Sequence, residues 1–225
     1  MTLLTFLKTK NLPAKIFVEQ KLRRARKLKT NQGFTIIEMV VVVGIFALLS
    51  GVIFSGFNDF SVKASLDNLT HQVALIIREA QVYGISVSQS SPQQFKGYGA
   101  YFSVETPGNQ KNFFLFNDKN QNETYDSGVG SPCDGSDECI EKVSIKTGDM
   151  VEKIRAREKT DILNTLSLKE VHIVFTRPNP DANILGIDLS NNQFDNLADV
   201  EIYLISPRGA EKRVVVWSTG QIAVE

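Results

Sequence analysis

Gly33-Phe34-Thr35-Ile36-Ile37-Glu38-Met39-Val40-Val41-Val42-Val43-Gly44-Ile45-Phe46-Ala47-Leu48-Leu49 is the stretch that decides how this chain folds. From Met39 to Asn58 no side chain carries a charge. At about 1.5 Å per residue that run spans about 30 Å as a helix, the hydrocarbon thickness of a bilayer. Its centre is apolar on every face, unlike the one-sided helix of a soluble domain. Glu38 interrupts the apolar run that opens at Phe34. A carboxylate at depth in lipid costs several kcal/mol unless it finds a partner.

Upstream, residues 1–33 carry Lys8, Lys10, Lys15, Lys21, Arg23, Arg24, Arg26, Lys27 and Lys29 against Glu19 alone, a net charge of +8. The whole chain sums to zero, so residues 34–225 carry −8. A basic block ahead of an apolar segment places that block in the cytoplasm and the rest of the chain outside. The acidic remainder weighs against nucleic acid as a partner. Three readings of the segment compete: a cleaved secretory signal with Ser50-Gly51 at the cut, a plain signal anchor, and a stem that joins other stems. Glu38 discriminates among them, because neither a signal nor an anchor has use for an acid there.

Gly33-Phe34-Thr35-Ile36-Ile37-Glu38, with Lys29 and its basic neighbours ahead, resembles the processing motif of type IV pilins and type II secretion pseudopilins. The resemblance is close over residues 27–60. It implies that a membrane-embedded prepilin peptidase and methylase cuts after Gly33 and methylates Phe34. It also implies that Glu38 is the buried assembly acid. The partners so implied are other pilin subunits, an assembly platform and its motor. The implied location is the inner membrane before assembly, then an extracellular or periplasmic filament. Glycine before the cut suits a backbone that must extend into a cleft. Thr35 reads as a helix-start residue. Gly44, Gly51 and Gly56 read as close-packing or loosening points of the stem.

Beyond residue 59, Val62, Leu66, Leu69, Val73, Ile76, Ile77, Ala80 and Val87 recur at helical spacing. One helix is therefore expected from residue 34 to about 88, stopped by Ser90-Ser91-Pro92. Strands are expected at 98–104, 111–117, 142–146, 171–177, 184–189, 200–205, 213–218 and 221–224. Ser206-Pro207-Arg208-Gly209 and Thr219-Gly220 mark turns of a C-terminal meander. A short helix is expected within 147–165. The expected fold class is α+β, with a long helix, its first half in the membrane, packed on an antiparallel sheet. The divisions are a leader (1–33), a membrane or filament-core helix (34–58), its amphipathic continuation (59–91) and a β-rich head (92–225). Arg78-Glu79-Ala80-Gln81 and the closing Val-Val-Val-Trp-Ser-Thr-Gly-Gln-Ile run resemble the minor pseudopilin subgroup.

The head carries an irregular insert, residues 117–140. Cys133 and Cys139 lie close together within it, either as free thiols or as a small disulfide, and a disulfide implies an oxidising compartment. Asp118, Asn120, Asn122, Thr124 and Asp126 space oxygen atoms at alternate residues, resembling the front half of an EF-hand-like calcium loop. Glu123 stands where that pattern wants glycine, and Val129 where it wants a bidentate glutamate. Asp134, Asp137 or Glu138 are the candidate replacements. A plain solvated loop is the competing reading, so calcium is an optional ligand and no cofactor is required. His71 is expected on a solvent-facing helix surface and His172 in a strand with a structural role. With no nucleophile–base–orienter set, no enzymatic activity is expected. A structural filament subunit leads. A minor pilin binding DNA during uptake, a secreted substrate or a surface comes second, with Lys153, Arg155, Arg157 and Lys159, and Arg208, Lys212 and Arg213, as its basic clusters. A signal-anchored extracellular enzyme comes third.

Overall fold

The structure is a computed structural model and describes residues 33–86, 97–106, 108–128, 133, 135 and 138–225. The basic leader, Val87, the Ser90-Ser91-Pro92 stop, Val129, Asp134 and Asp137 lie outside the described residues. Helix α1 runs Ile36–Ile85. The described residues then form ten strands: β1 (Gly97–Ser103), β2 (Asn112–Asp118), β3 (Cys139–Ser144), β4 (Met150–Glu158), β5 (Thr165–Phe175), β6 (Ala182–Asp188), β7 (Gln193–Phe194), β8 (Leu197–Ile205), β9 (Glu211–Trp217) and β10 (Ile222–Val224). The chain divides into two compact units between Ile53 and Phe54.

In the first unit α1 is apolar all round, and its side chains are exposed at every described position. Ile36–Phe54 is long and apolar enough to cross a membrane. Gly44 and Gly51 face open space. Such a surface is stable against lipid or other stems, not against water.

In the second unit the same helix is one-sided. Leu66, Leu69, Val73, Ala74, Ile76, Ile77 and Ala80 are buried against Ala100, Phe102, Phe113, Leu115, Ile154, Val171, Ile173, Val200, Ile202, Leu204, Val214 and Val216 of the sheet. Val62, read as part of the stripe, is only half-buried. Each large aliphatic residue so buried contributes roughly 1.5–3 kcal/mol. The fold is therefore α+β, a helix packed on an antiparallel sheet of order β10-β9-β8-β4-β5-β1-β2-β3. β6 also pairs with β5, and β7 with β6. The C-terminal meander β8-β9-β10 forms as expected.

The expected helix within 147–165 is wrong: the segment holds the nine residues of strand β4 and turns on either side of it, and Thr165 already opens β5. A register shift between Val151 and Lys153 causes the misreading. Across it the buried residues Val151 and Ile154 stand three apart, the spacing of a helix, before Ala156 restores the alternation. β5 also begins six residues before the expected start at Val171, because its first residues pair with β4 and its last with β1. β7 was not foreseen; two residues give no periodicity to read.

The two segments carrying the finer resemblance meet in space. The Gln81 carboxamide Nε2 donates to the carbonyls of Gly220 (3.0 Å) and Pro180 (3.2 Å), fastening the helix to the β9–β10 turn. Gly220 has φ +81°, and a Cβ there would stand 2.1 Å from the Pro180 carbonyl oxygen. Gly220→Ala is accordingly expected to destabilise the head by about 2 kcal/mol or more, seen as a lowered Tm of the detergent-solubilised chain. Gln81→Ala, which loses both bonds, costs about 1–2 kcal/mol on the same assay.

Candidate functional site

The first site lies where α1 begins. Thr35 caps the helix: its hydroxyl accepts the Glu38 backbone N–H (3.2 Å), and its carbonyl accepts that of Met39 (3.2 Å). Threonine followed three residues later by glutamate is the pattern of a capping box. Gly33 and Phe34 precede the first helical residue, and nothing lies within 4 Å of a Cβ placed on Gly33. The peptide bond between them is thus outside the helix, in backbone a protease can extend. Glu38 is exposed one turn further on, and its carboxylate has no bonding partner among the described residues. It is flanked by Ile36, Ile37, Met39 and Val40, and a carboxylate in such surroundings costs several kcal/mol in lipid unless a partner offsets it.

The second site is the loop after β2. Asp118 is 2% exposed and accepts the amides of Asn122 (3.1 Å) and Glu123 (3.0 Å) on its two oxygens. Asn120 and Asn122 both donate their carboxamides to Asp126 Oδ2, at 2.6 and 3.0 Å. Thr124 donates its amide to Asn122 Oδ1 (2.9 Å). Glu123, where a calcium loop wants glycine, takes φ +62°, the left-handed conformation that glycine would supply. Cys133 and Cys139 are joined in a disulfide with Cα atoms 4.8 Å apart. The residue before Cys139, Glu138, is 5% exposed. It accepts the Lys119 amide on Oε1 (2.7 Å) and the Asp126 amide on Oε2 (3.1 Å).

Glu138 was one of three candidate acids, and the structure brings it to the loop, but as an acceptor of backbone amides. Among the described residues no three of His, Cys, Asp and Glu stand close enough to hold a metal ion.

Tyr125 turns the loop back onto the outer face of the sheet, opposite α1. Its ring lies against Tyr101 (5.1 Å), Phe114 (5.2 Å) and Phe116 (5.5 Å). Its amide donates to His172 Nδ1 at 2.9 Å. Phe116, His172, Val174 and Leu185 are buried there, a second, small core on the far side of the sheet. Sequence reasoning missed it; the signal was Phe114 and Phe116 alternating with Phe113 and Leu115, a strand apolar on both faces. Burial lowers the pKa of His172 to about 4, against a weaker opposite pull from Asp126. The ring is therefore neutral, with its proton on Nε2. His71 is exposed on α1.

The two basic clusters are not a free cationic patch. Arg157 pairs with Asp199, Lys153 with Glu211 (2.8 Å), Lys212 with Asp67 (2.6 Å), and Arg213 with Glu201 and Glu225. The Tyr203 ring lies beneath Lys153 (4.5 Å) and Arg155 (5.5 Å).

Compared with known proteins, residues 28–54 match the family model of the prokaryotic N-terminal methylation motif, the signature of type IV pilins and pseudopilins. No curated protein and no solved structure matches the chain. The match covers the N-terminal segment alone, which carries the motif that prepilin peptidase processes, followed by an apolar helix long enough to serve as a membrane anchor.

Two outcomes follow from this geometry. Unfolded histidine titrates near 6.5, so between pH 6.5 and about 4 the unfolded chain binds a proton that the folded chain refuses. His172 therefore subtracts stability as pH falls through that window and contributes no pH dependence above it. The wild type is expected to lose up to about 3 kcal/mol more than His172→Gln between those limits, read from urea midpoints. Millimolar calcium separates the two readings of the loop: an unchanged Tm of the full chain is the outcome for a solvated loop, and a calcium-dependent rise abolished by Asp118→Ala is the outcome for a cation site.

Proposed function

We propose that the chain is a structural subunit of a type IV pilus or a type II secretion-like pseudopilus, cut after Gly33, methylated at Phe34 and assembled through Glu38. The observation that carries this reading is an acid with no partner among the described residues, one helical turn past a Gly33–Phe34 bond that lies outside the helix. Before cleavage the Phe34 nitrogen is an uncharged amide. Cleavage turns it into an α-amine that is positive near neutral pH. That amine, on a neighbouring subunit, supplies the counter-charge for Glu38. At an effective dielectric near 20 a 4 Å pair is worth about 4 kcal/mol before desolvation. Methylation keeps the charge and weakens hydration of the amine. The coupling explains why only processed subunits would join a filament.

The basic leader supports a cytoplasmic N-terminus, and the Cys133–Cys139 disulfide supports a head in an oxidising compartment. The head is read as structural, without catalysis. A binding role for the head is the second reading, favoured by the loop 118–126 being fixed at Glu138 and His172 while Asn120, Gln121 and Asn122 stay exposed. Paired bases and an acidic balance make DNA the weakest of its ligands.

Mass spectrometry of the mature N-terminus from sheared surface filaments tests the main reading. A methylated Phe34 is expected. A chain still bearing its leader, or one starting beyond the apolar run, overturns it. Glu38→Ala is expected to be processed normally yet to drop out of filaments by at least about tenfold, the equivalent of about 1.4 kcal/mol.

A further inference from the structure

Lys169 sits at a discontinuity of the sheet. β5 pairs with β4 up to Leu168 and with β1 from Glu170, and its register with β6 shifts between the same two residues. Lys169 is the bulged residue, and a bulge re-aims its side chain. The side chain turns inward: Lys169 is 8% exposed, rare for lysine unless it is paired. Its Nζ donates to Asn191 Oδ1 (2.6 Å) and to Glu105 Oε1 (3.2 Å), with Glu170 Oε1 at 3.7 Å. The other Glu170 oxygen accepts the Tyr101 hydroxyl (2.7 Å).

The turn that carries the carboxamide is itself held in place. Asn191 has φ +63° in the β6–β7 turn, and its amide donates to the Asp188 carbonyl (3.1 Å). The amides of Ser190 and Asn192 donate to Asp188 Oδ1 (2.7 and 2.8 Å), and Asn192 Nδ2 donates to Oδ2 (2.9 Å). A nucleophilic amine, a carboxamide and two carboxylates that can carry protons thus meet in one place. None of them serves the motif at Gly33 or the loop after β2.

We propose that Lys169 and Asn191 become joined by an intramolecular isopeptide bond. A Glu105 oxygen takes a proton from the Lys169 ammonium. The freed Nζ lone pair attacks Asn191 Cγ. The Cγ–Nδ2 bond breaks, and Nδ2 takes up the protons from Nζ and Glu105 and leaves as ammonium. The sum is an ammonium and a primary amide giving a secondary amide and an ammonium ion, with no oxidant and no cofactor. Fixing the reactants side by side replaces a bimolecular encounter, an advantage of about 10⁵ M or more in well-aligned cases. Glu105 holds Lys169 charged at rest, which makes the step slow and faster as pH rises. The product ties the β5 bulge to a turn 22 residues on, at the point where the sheet changes partners. A subunit carrying tension would there resist peeling. This does not depend on the role proposed for Glu38.

Intact-mass measurement on the full processed chain tests it, followed by digestion at acidic residues, which separates Lys169 from Asn191 unless they are joined. The expected result is the loss of one ammonia beyond the disulfide and a branched peptide containing both residues. Lys169→Arg and Asn191→Ala should restore full mass. Glu105→Gln combined with Glu170→Gln should slow formation about a hundredfold. Full mass in aged wild-type chain overturns the proposal. So does ammonia loss without a branched peptide, which marks ring closure of asparagine on its own backbone.

Discussion

A single helix here meets two different solvents, and its surface changes to suit each. Up to Phe54 the apolar side chains of α1 point in every direction. From Leu66 they are confined to one stripe, whose residues are buried against the inner face of the sheet. The change follows from the cost of exposure. In lipid a uniform apolar surface is favourable, whereas in water only the face that can be covered stays apolar. Glu38 is the exception in the first half, a carboxylate with no partner among the described residues, and the proposed assembly role rests on it.

The head is held by more than that stripe. Its outer face carries a second cluster around Phe116, His172 and Leu185, roofed by Tyr125. The loop bearing Tyr125 has little apolar content of its own. It is fixed by Asp118 and Glu138, both buried and both satisfied by backbone amides. A buried carboxylate is tolerable when such donors replace its water. The disulfide lies immediately beside Glu138, so the covalent clamp and the hydrogen-bonded clamp act on the same few residues.

Elsewhere on the outer face, charge takes the place of apolar cover. Lys153, Arg157, Arg213, Asp199, Glu201, Glu211 and Glu225 alternate across β4, β8 and β9 around Tyr203. The exposed pairs, Lys153–Glu211 and Arg213–Glu225, contribute little individually to stability, whereas Asp199 is buried under Arg157. They do cancel the positive potential that the same lysines and arginines suggest when read along the chain.

The stem, the motif and most strands were legible because their signals are local. A charge-free run of bilayer length, an acid inside it, the alternation of apolar residues along β8 and the short apolar run of β9 can all be read from neighbours in the chain. What lay beyond the sequence depends on residues far apart. The bulge near Val151 copied helical spacing and concealed β4. Glu138 could be ranked only as one acid among three until the fold set it beside Lys119 and Asp126. Lys169 lay outside every expected strand, and only the change of partner along β5 turned it inward toward Asn191. The amino-acid order alone determined that the chain has an apolar stem and a β-rich head, because solvent preference is a property of each residue. Tertiary structure decided which polar groups meet, because hydrogen bonds and ion pairs need a distance, and distance between remote residues exists only after folding.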